Sequence, residues 1–176
     1  MTNSHPIKLL AALLILAVLF VLPTCTPKKS IPVNTSSSYG GGWELPDGQR
    51  ASLSDYKGKV LLLDFYATWC GPCRVETPHL VSLHKKYGAQ GFEIIGLNVG
   101  GEDDYDQVPA FKQEFRIEFP LAIPDDDFVD QYLGLNQNIP QTFVINRQGQ
   151  LVKHFVGYDE ELAPEMDSVI QAALNK

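Results

Sequence analysis

Hydrophobic and polar positions alternate along the chain in blocks whose spacing changes from strand-like to helix-like and back. Two nearly continuous apolar runs, at residues 59–66 and 92–99, predict strands that are buried on both faces. Shorter apolar runs on either side of a polar turn predict two hairpins. The predicted hairpin strands cover residues 43–45 with 50–53, and 142–145 with 151–155.

Apolar residues at helical spacing occupy most of the segments between these strands. The longest predicted helix begins at the cysteines near residue 70 and continues to about Tyr87, with a bend at Pro78. The other predicted helices cover residues 107–115, 128–133 and 160–174. Strands that alternate with helices predict an α/β domain, with a mixed central sheet flanked by helices and an N-terminal hairpin.

The first 42 residues have a different pattern from the rest of the chain. Residues 9–22 are an unbroken apolar run, which fits a secretory signal and is shorter than the roughly 20 residues of a typical membrane-spanning helix. Residues 26–42 hold prolines, a Ser/Thr cluster and three final glycines, which is typical of a flexible tether. We therefore divide the chain into a signal, lipoprotein-type or anchor segment at 1–25, a tether at 26–42 and a domain at 43–176.

The end of the apolar run, Leu22-Pro23-Thr24-Cys25, resembles the lipobox of bacterial lipoproteins. In that family the cysteine is lipidated and becomes the mature N-terminus, so the resemblance implies lipidation of Cys25. Thr24 departs from the small residues that the family prefers before the cysteine. Three alternatives stay open: a lipoprotein, an uncleaved N-terminal anchor, or a cleaved secreted protein. Each of them places the domain outside the cytoplasm.

Charge and cysteine content exclude several classes of protein. The net charge of −7 argues against a nucleic-acid partner, because no basic stripe is present to neutralise phosphates. Three cysteines are too few for a disulfide-stapled scaffold. Two acidic runs, at residues 102–104 and 125–127, do not match a calcium-binding loop. We interpret them as solvated loops or as charge at helix N-termini, and we predict no metal site.

Cys70 and Cys73 form a Cys-x-x-Cys pair, which has three common uses: half of a zinc site, a structural disulfide or a redox centre. Structural zinc needs further ligands, and a disulfide that closes so short a loop adds little stability. The redox interpretation is favoured because the pair follows a buried strand and opens a helix. Free N–H groups and the helix dipole there lower the pKa of Cys70, and Pro72 suits the first helical turn.

The run from Gly58 to Leu80, which contains Trp-Cys-Gly-Pro-Cys, closely resembles the TlpA/ResA-like thioredoxin family. A second signature at residues 138–146 also matches, and residues 100–124 resemble the family's central insertion. The resemblance implies a thioredoxin-like fold and an extracytoplasmic, membrane-tethered thiol–disulfide oxidoreductase. It further implies a cis proline at Pro140 that faces the cysteines, and a backbone at Ile139 that pairs with substrate.

Other residues of the matched run are candidate site residues. The resemblance implies that Trp69, Gly71 and Pro72 line the substrate side of the cysteines. Asp64 resembles the buried acid of thioredoxin, and Glu76 resembles a glutamate near the family's active site, so we predict catalytic roles for both. The alternatives are that backbone N–H groups satisfy Asp64, and that Glu76 is a solvated helix residue. Many relatives have Asn at the position of Asp64.

The predicted reaction is dithiol–disulfide exchange with protein partners. Cys70 attacks a partner disulfide, and Cys73 then resolves the mixed disulfide. We expect a monomer that needs no cofactor beyond its own cysteines, takes electrons from a membrane donor and works as a reductant on the periplasmic side of a bacterial membrane. The resemblance implies cytochrome c maturation as one role. The alternatives are a peroxiredoxin-like peroxidase and a non-enzymatic metal or haem chaperone.

Overall fold

The computed structural model describes residues 41–176. The predicted signal or anchor segment, with Cys25, and nearly all of the predicted tether lie outside the described residues. At the start of the described part, the backbone N–H of Gly42 donates to the Asp125 carboxylate at 2.9 Å, and the Asp125 N–H donates to the Gly42 carbonyl at 2.9 Å. Within residues 41–176, no helix has the length and the apolar content needed to cross a membrane.

Seven strands and five helices alternate along the described residues. The strands are β1 (Trp43–Glu44), β2 (Arg50–Ala51), β3 (Val60–Tyr66), β4 (Phe92–Asn98), β5 (Leu121–Pro124), β6 (Gln141–Ile145) and β7 (Leu151–Val156). The helices are α1 (Gly71–Tyr87), α2 (Glu102–Tyr105), α3 (Val108–Phe115), α4 (Asp126–Tyr132) and α5 (Ala163–Leu174). Every predicted helix and strand is present, with its ends shifted by a few residues. The strand β5 and the short helix α2, both inside the predicted insertion, were not predicted.

The strands form one mixed sheet in the order β2-β1-β5-β4-β3-β6-β7. The three central strands β3, β4 and β5 run parallel, whereas β6, β7 and the β1–β2 hairpin pair antiparallel to their neighbours. The carboxyl ends of β3 and β4 therefore lie at the same edge of the sheet, where β3 leads to α1 and β4 leads to α2.

Strand β3 lies at the centre of the fold, and all seven of its residues are buried. Side chains on alternate residues of a strand point to opposite faces. One face of β3 therefore joins a core with Leu80 of α1 and Ile170 of α5, and the other joins a core with Phe128 of α4 and Trp43 of β1. This burial on both faces explains the nearly continuous apolar run that predicted the strand.

Candidate active site

The cysteine pair lies at the junction of β3 and α1. Cys70 is the N-cap residue of α1, and the backbone N–H of Cys73 points at the Cys70 sulfur at 3.2 Å. The two residues form a disulfide, and both are almost completely buried. Pro72 occupies the first turn of α1, where a missing N–H leaves no hydrogen bond unmade. The end of a buried strand thus places a sulfur pair at a helix N-terminus, as the sequence predicted.

The loop before β6 lies beside the pair. The Ile139–Pro140 peptide bond is cis, and Pro140 is buried. The carbonyl oxygen of Ile139 lies 3.7 Å from the Cys70 sulfur. Residues that are 69 positions apart in the chain therefore meet at the reacting atom.

The outer face of the site is open to solvent. Trp69 is 66% exposed, and Gly71 and Pro72 are also exposed. Trp69 and Ile139 line one side of a groove of about 380 Å³, whose other walls come from α2 and α4. The predicted substrate-side residues are thus brought together around Cys70.

Two buried carboxyl groups belong to the elements that carry the pair, Asp64 on β3 and Glu76 one helical turn after Cys73 on α1. Glu76 is 1% exposed and Asp64 is 5% exposed. Thr142 connects them, because it pairs with Asp64 across the β3–β6 ladder and its hydroxyl donates to Glu76 Oε1 at 2.8 Å. Asp64 Oδ1 and Glu76 Oε2 are buried without a hydrogen-bond partner among the described residues. Both alternatives are therefore wrong: Glu76 is not solvated, and backbone N–H groups do not satisfy Asp64 Oδ1.

Burial governs the proton affinity of this pair. Desolvation raises the pKa of Asp64 well above its usual value, and the charge of Glu76 raises it further. Desolvation also raises the pKa of Glu76, to about 7, although the hydrogen bond from Thr142 opposes the shift. Both carboxyls therefore hold a proton more tightly than a solvated carboxyl does, and Glu76 binds and releases it near neutral pH.

Asp104 fixes the loop that leads to Cys70. It lies in the first turn of α2, as one of the two interpretations of the acidic run expected, but it is not solvated. It is 4% exposed and accepts hydrogen bonds from the Thr68 N–H at 2.9 Å, the Thr68 hydroxyl and Asn98 Nδ2 at 2.7 Å. On the other side of the loop, Arg74 donates to the Thr68 carbonyl at 3.1 Å. Nothing in the acidic run distinguished Asp104 from its exposed neighbours.

Asp125, in the second acidic run, also has a structural role. It accepts hydrogen bonds from Arg50 and from the Gly42 N–H, and these contacts join the β1–β2 hairpin to the start of α4. The neighbouring carboxylates at 126 and 127 are exposed, as the sequence analysis expected for the run.

Comparison with known proteins identifies the family. A sequence model described as the AhpC/TSA family matches residues 42–154. The thiol–disulfide oxidoreductase ResA of Geobacillus thermodenitrificans (strain NG80-2) is 34% identical over 125 residues, which cover 70% of each chain. This chain belongs to the ResA-like thiol–disulfide oxidoreductases.

Two further matches are described as a thiol–disulfide oxidoreductase and a thiol:disulfide interchange protein. ResA of Bacillus subtilis (strain 168) is 36% identical over 114 residues, which are 65% of this chain but only 62% of that protein, less than two thirds of its length. A solved structure described as a thiol:disulfide interchange protein, DsbE, from Chlorobium tepidum matches 76% of this chain and 92% of its own, with a TM-score of 0.67 and 29% identity. The predicted family, fold class and enzyme class are confirmed.

The raised pKa of Glu76 predicts a pH-dependent free energy of unfolding in the oxidised protein. The pKa is about 7 in the folded state and near 4.5 in the unfolded chain, so the folded state holds the proton more tightly. The resulting stability is fully present below about pH 4.5 and is lost as the pH rises through 7, a difference of about 3 kcal/mol. Urea unfolding at pH 5 and at pH 8 measures this difference in the free energy of unfolding.

Two variants complete this measurement. Glu76→Gln should remove most of the difference between the two pH values, whereas Glu118→Gln, at an exposed site before β5, should leave it unchanged. Asp64 acts in the same direction, so a smaller slope should remain in Glu76→Gln. An identical slope in the parent and in Glu76→Gln would contradict the raised pKa.

Proposed function

We propose that this protein reduces disulfides of protein partners through Cys70 and Cys73. The observation that carries the proposal is the position of the pair: a disulfide at the N-terminus of α1, next to the Ile139 carbonyl and beside the exposed Trp69. A partner's cysteine can approach from the exposed side, while the interior side holds two proton-binding carboxyls.

The first step is attack by the thiolate of Cys70 in the reduced protein. The N–H of Cys73 and the N-terminus of α1 stabilise negative charge on the Cys70 sulfur. This sulfur forms a bond to one sulfur of the partner disulfide, the partner's S–S bond breaks, and the other partner sulfur leaves as a thiolate. The extended backbone of the partner pairs with Ile139.

The second step resolves the mixed disulfide. Cys73 loses its proton and its sulfur attacks Cys70, which releases the partner as a second thiolate and restores the Cys70–Cys73 disulfide. Two electrons have then passed to the partner. Asp64, as the carboxylate, accepts the proton of Cys73, directly or through one water, and Glu76, whose pKa is about 7, can take its place in part.

The cycle needs no bound cofactor, because the two cysteine sulfurs carry both electrons. A dithiol donor must reduce the disulfide again after each turnover, and we propose that this donor lies in the membrane. The proposal places the domain, as a monomer, on the extracytoplasmic side of a bacterial membrane, held by a lipid on Cys25 or by an uncleaved anchor. Cytochrome c maturation is one process that requires such a reductant.

The peroxidase alternative has less support from this site. Ala67, three residues before Cys70, has no hydroxyl that could assist a peroxide, and the hydroxyl of Thr68 is engaged by Asp104. For the chaperone alternative, no group of three or more His, Cys, Asp or Glu side chains at metal-binding distance occurs among the described residues. Parallel assays of insulin reduction, peroxide consumption and metal titration separate the three functions.

The division of labour between the cysteines can be tested with serine variants of the full chain in a Cys25→Ser background. Cys70→Ser should abolish disulfide reduction, because the attacking sulfur is lost. Cys73→Ser should stop turnover and accumulate mixed disulfides on Cys70, which non-reducing electrophoresis and mass spectrometry detect. Adducts that form on Cys73 in the Cys70→Ser protein, and not on Cys70 in the other variant, would reverse the assigned roles.

The proton relay can be tested by stopped-flow separation of the two steps. Asp64→Asn should leave the attack by Cys70 nearly unchanged and slow resolution at neutral pH by about 10²-fold, the usual effect of losing a general base. Adding Glu76→Gln should slow resolution further. The same Asp64→Asn change should stabilise the fold at pH 8, because it removes a buried ionisable group without leaving a cavity. Glu118→Gln is the matched control, and an unchanged resolution rate in the double variant would assign both carboxyls to structure alone.

Attachment through Cys25 predicts a specific labelling result. The parent chain should incorporate radioactive palmitate in a bacterial host, and Cys25→Ala should abolish both the label and the lipoprotein processing. Cys70→Ala is a suitable control, since it also removes a thiol but should keep the label. An unlabelled parent, or a labelled Cys25→Ala variant, would exclude the lipoprotein alternative.

A further inference from the structure

The groove beside Cys70 is lined by both apolar and polar residues. Val129 of α4 and Leu133, the residue after α4, contribute apolar surface, and Asn98 contributes the end of β4. Trp69 and Ile139, which flank the Cys70 sulfur, form the side nearest the disulfide. A chain segment bonded to Cys70 therefore has the groove directly beside it.

The charged side chain that lines this groove, and the unpaired charges at the starts of α2 and α4, are acidic. Asp126 lines it, and no Lys or Arg does. Glu102 and Asp103 begin α2, and Asp127 begins α4 next to Asp126, and all four of these acids are exposed. No ion pair joins any of the four to another described residue.

Tyr105 lies near acids of both α2 and α4. Its side chain is part of the lining, and the pKa of its hydroxyl is raised by burial first and then by the charges of Glu102 and Asp126. These two carboxylates therefore act on the same point from α2 and from α4. Asp125, the neighbour of Asp126, differs from these acids because its charge is paired with Arg50.

We propose that this groove docks the cysteine-bearing segment of a protein partner that carries lysine or arginine beside the reacting cysteine. The inference rests on the proposed function and names the class of substrate. The aliphatic stem of such a side chain packs on Val129 and Leu133, and its charged end meets the carboxylates of Asp126 and Glu102. An acidic surface, such as an anionic membrane or a second copy of this chain with its net charge of −7, is repelled from the same groove.

The test uses two peptide disulfides that differ only beside the reacting cysteine, one with two lysines and one with two glutamates. With the full chain and a chemical dithiol donor, kcat/KM should be about tenfold higher for the lysine peptide at low ionic strength. The preference should shrink to about twofold in 0.5 M salt, because salt screens exposed charges.

Variants then locate the source of the preference. The double change Glu102→Gln with Asp126→Asn should lower the lysine-to-glutamate ratio about threefold or more, mainly through KM. The control is Asp47→Asn with Glu118→Gln, which removes the same charge at the opposite edge of the sheet, in the β1–β2 turn and before β5, and should leave the ratio unchanged. A ratio near one in the parent, or an equal fall in both double variants, would overturn the proposal.

Binding without chemistry separates this inference from the proposed function. Fluorescently labelled peptides in which serine replaces cysteine should bind the oxidised protein with the same preference for lysine, measured by anisotropy. If neither disulfide peptide is reduced but the lysine version still binds selectively, the proposed function fails and the docking surface stands. If both peptides are reduced at equal rates and bind equally, the proposed function stands and the docking proposal fails.

Discussion

The site depends on one constraint, the burial of β3 on both faces at the centre of the sheet. A strand held in this way has a single register, and its carboxyl end can lie in only one place. The chain leaves β3 through the short loop 67–70 and enters α1, which brings Cys70 to the helix N-terminus. The same register points Asp64 into the interior, across the ladder from Thr142. A hydrophobic requirement of the core thus positions both the attacking sulfur and a buried acid.

The buried carboxyls oppose the stability of the fold that holds them. Each loses hydration, and each has one oxygen without a hydrogen-bond partner in the described part of the chain. Among residues 41–176, the hydroxyl of Thr142 is the hydrogen-bond donor that offsets this cost for Glu76. This environment raises the pKa of both groups, and that of Glu76 reaches about 7, which a solvated carboxylate does not have. The local loss of stability and the proposed proton transfer therefore have the same physical origin.

Much of this architecture could be predicted because its signals are local. Continuous apolar runs gave β3 and β4, the pair of cysteines gave the start of α1, and the family signature gave the cis bond before Pro140. The strand β5 was missed because it has only four residues, follows Pro120 and ends with Pro124, and these prolines hide its pattern. The burial of Glu76 and of Asp104 could not be predicted from the residues next to them in the sequence, because the groups that cover them come from distant parts of the chain.

The hydrogen bonds that hold Thr68 limit how the length of the segment between β4 and β5 can change. Asp104 holds the N–H side of this residue, and Arg74, which holds its carbonyl side, is itself held by Glu114 and lies over the ring of Phe115. These contacts therefore connect the loop before Cys70 directly to the segment between β4 and β5. A change in the length of that segment would move the loop before the reacting sulfur unless the contacts around Thr68 changed with it, and a graft of the cysteine motif alone would lack these contacts.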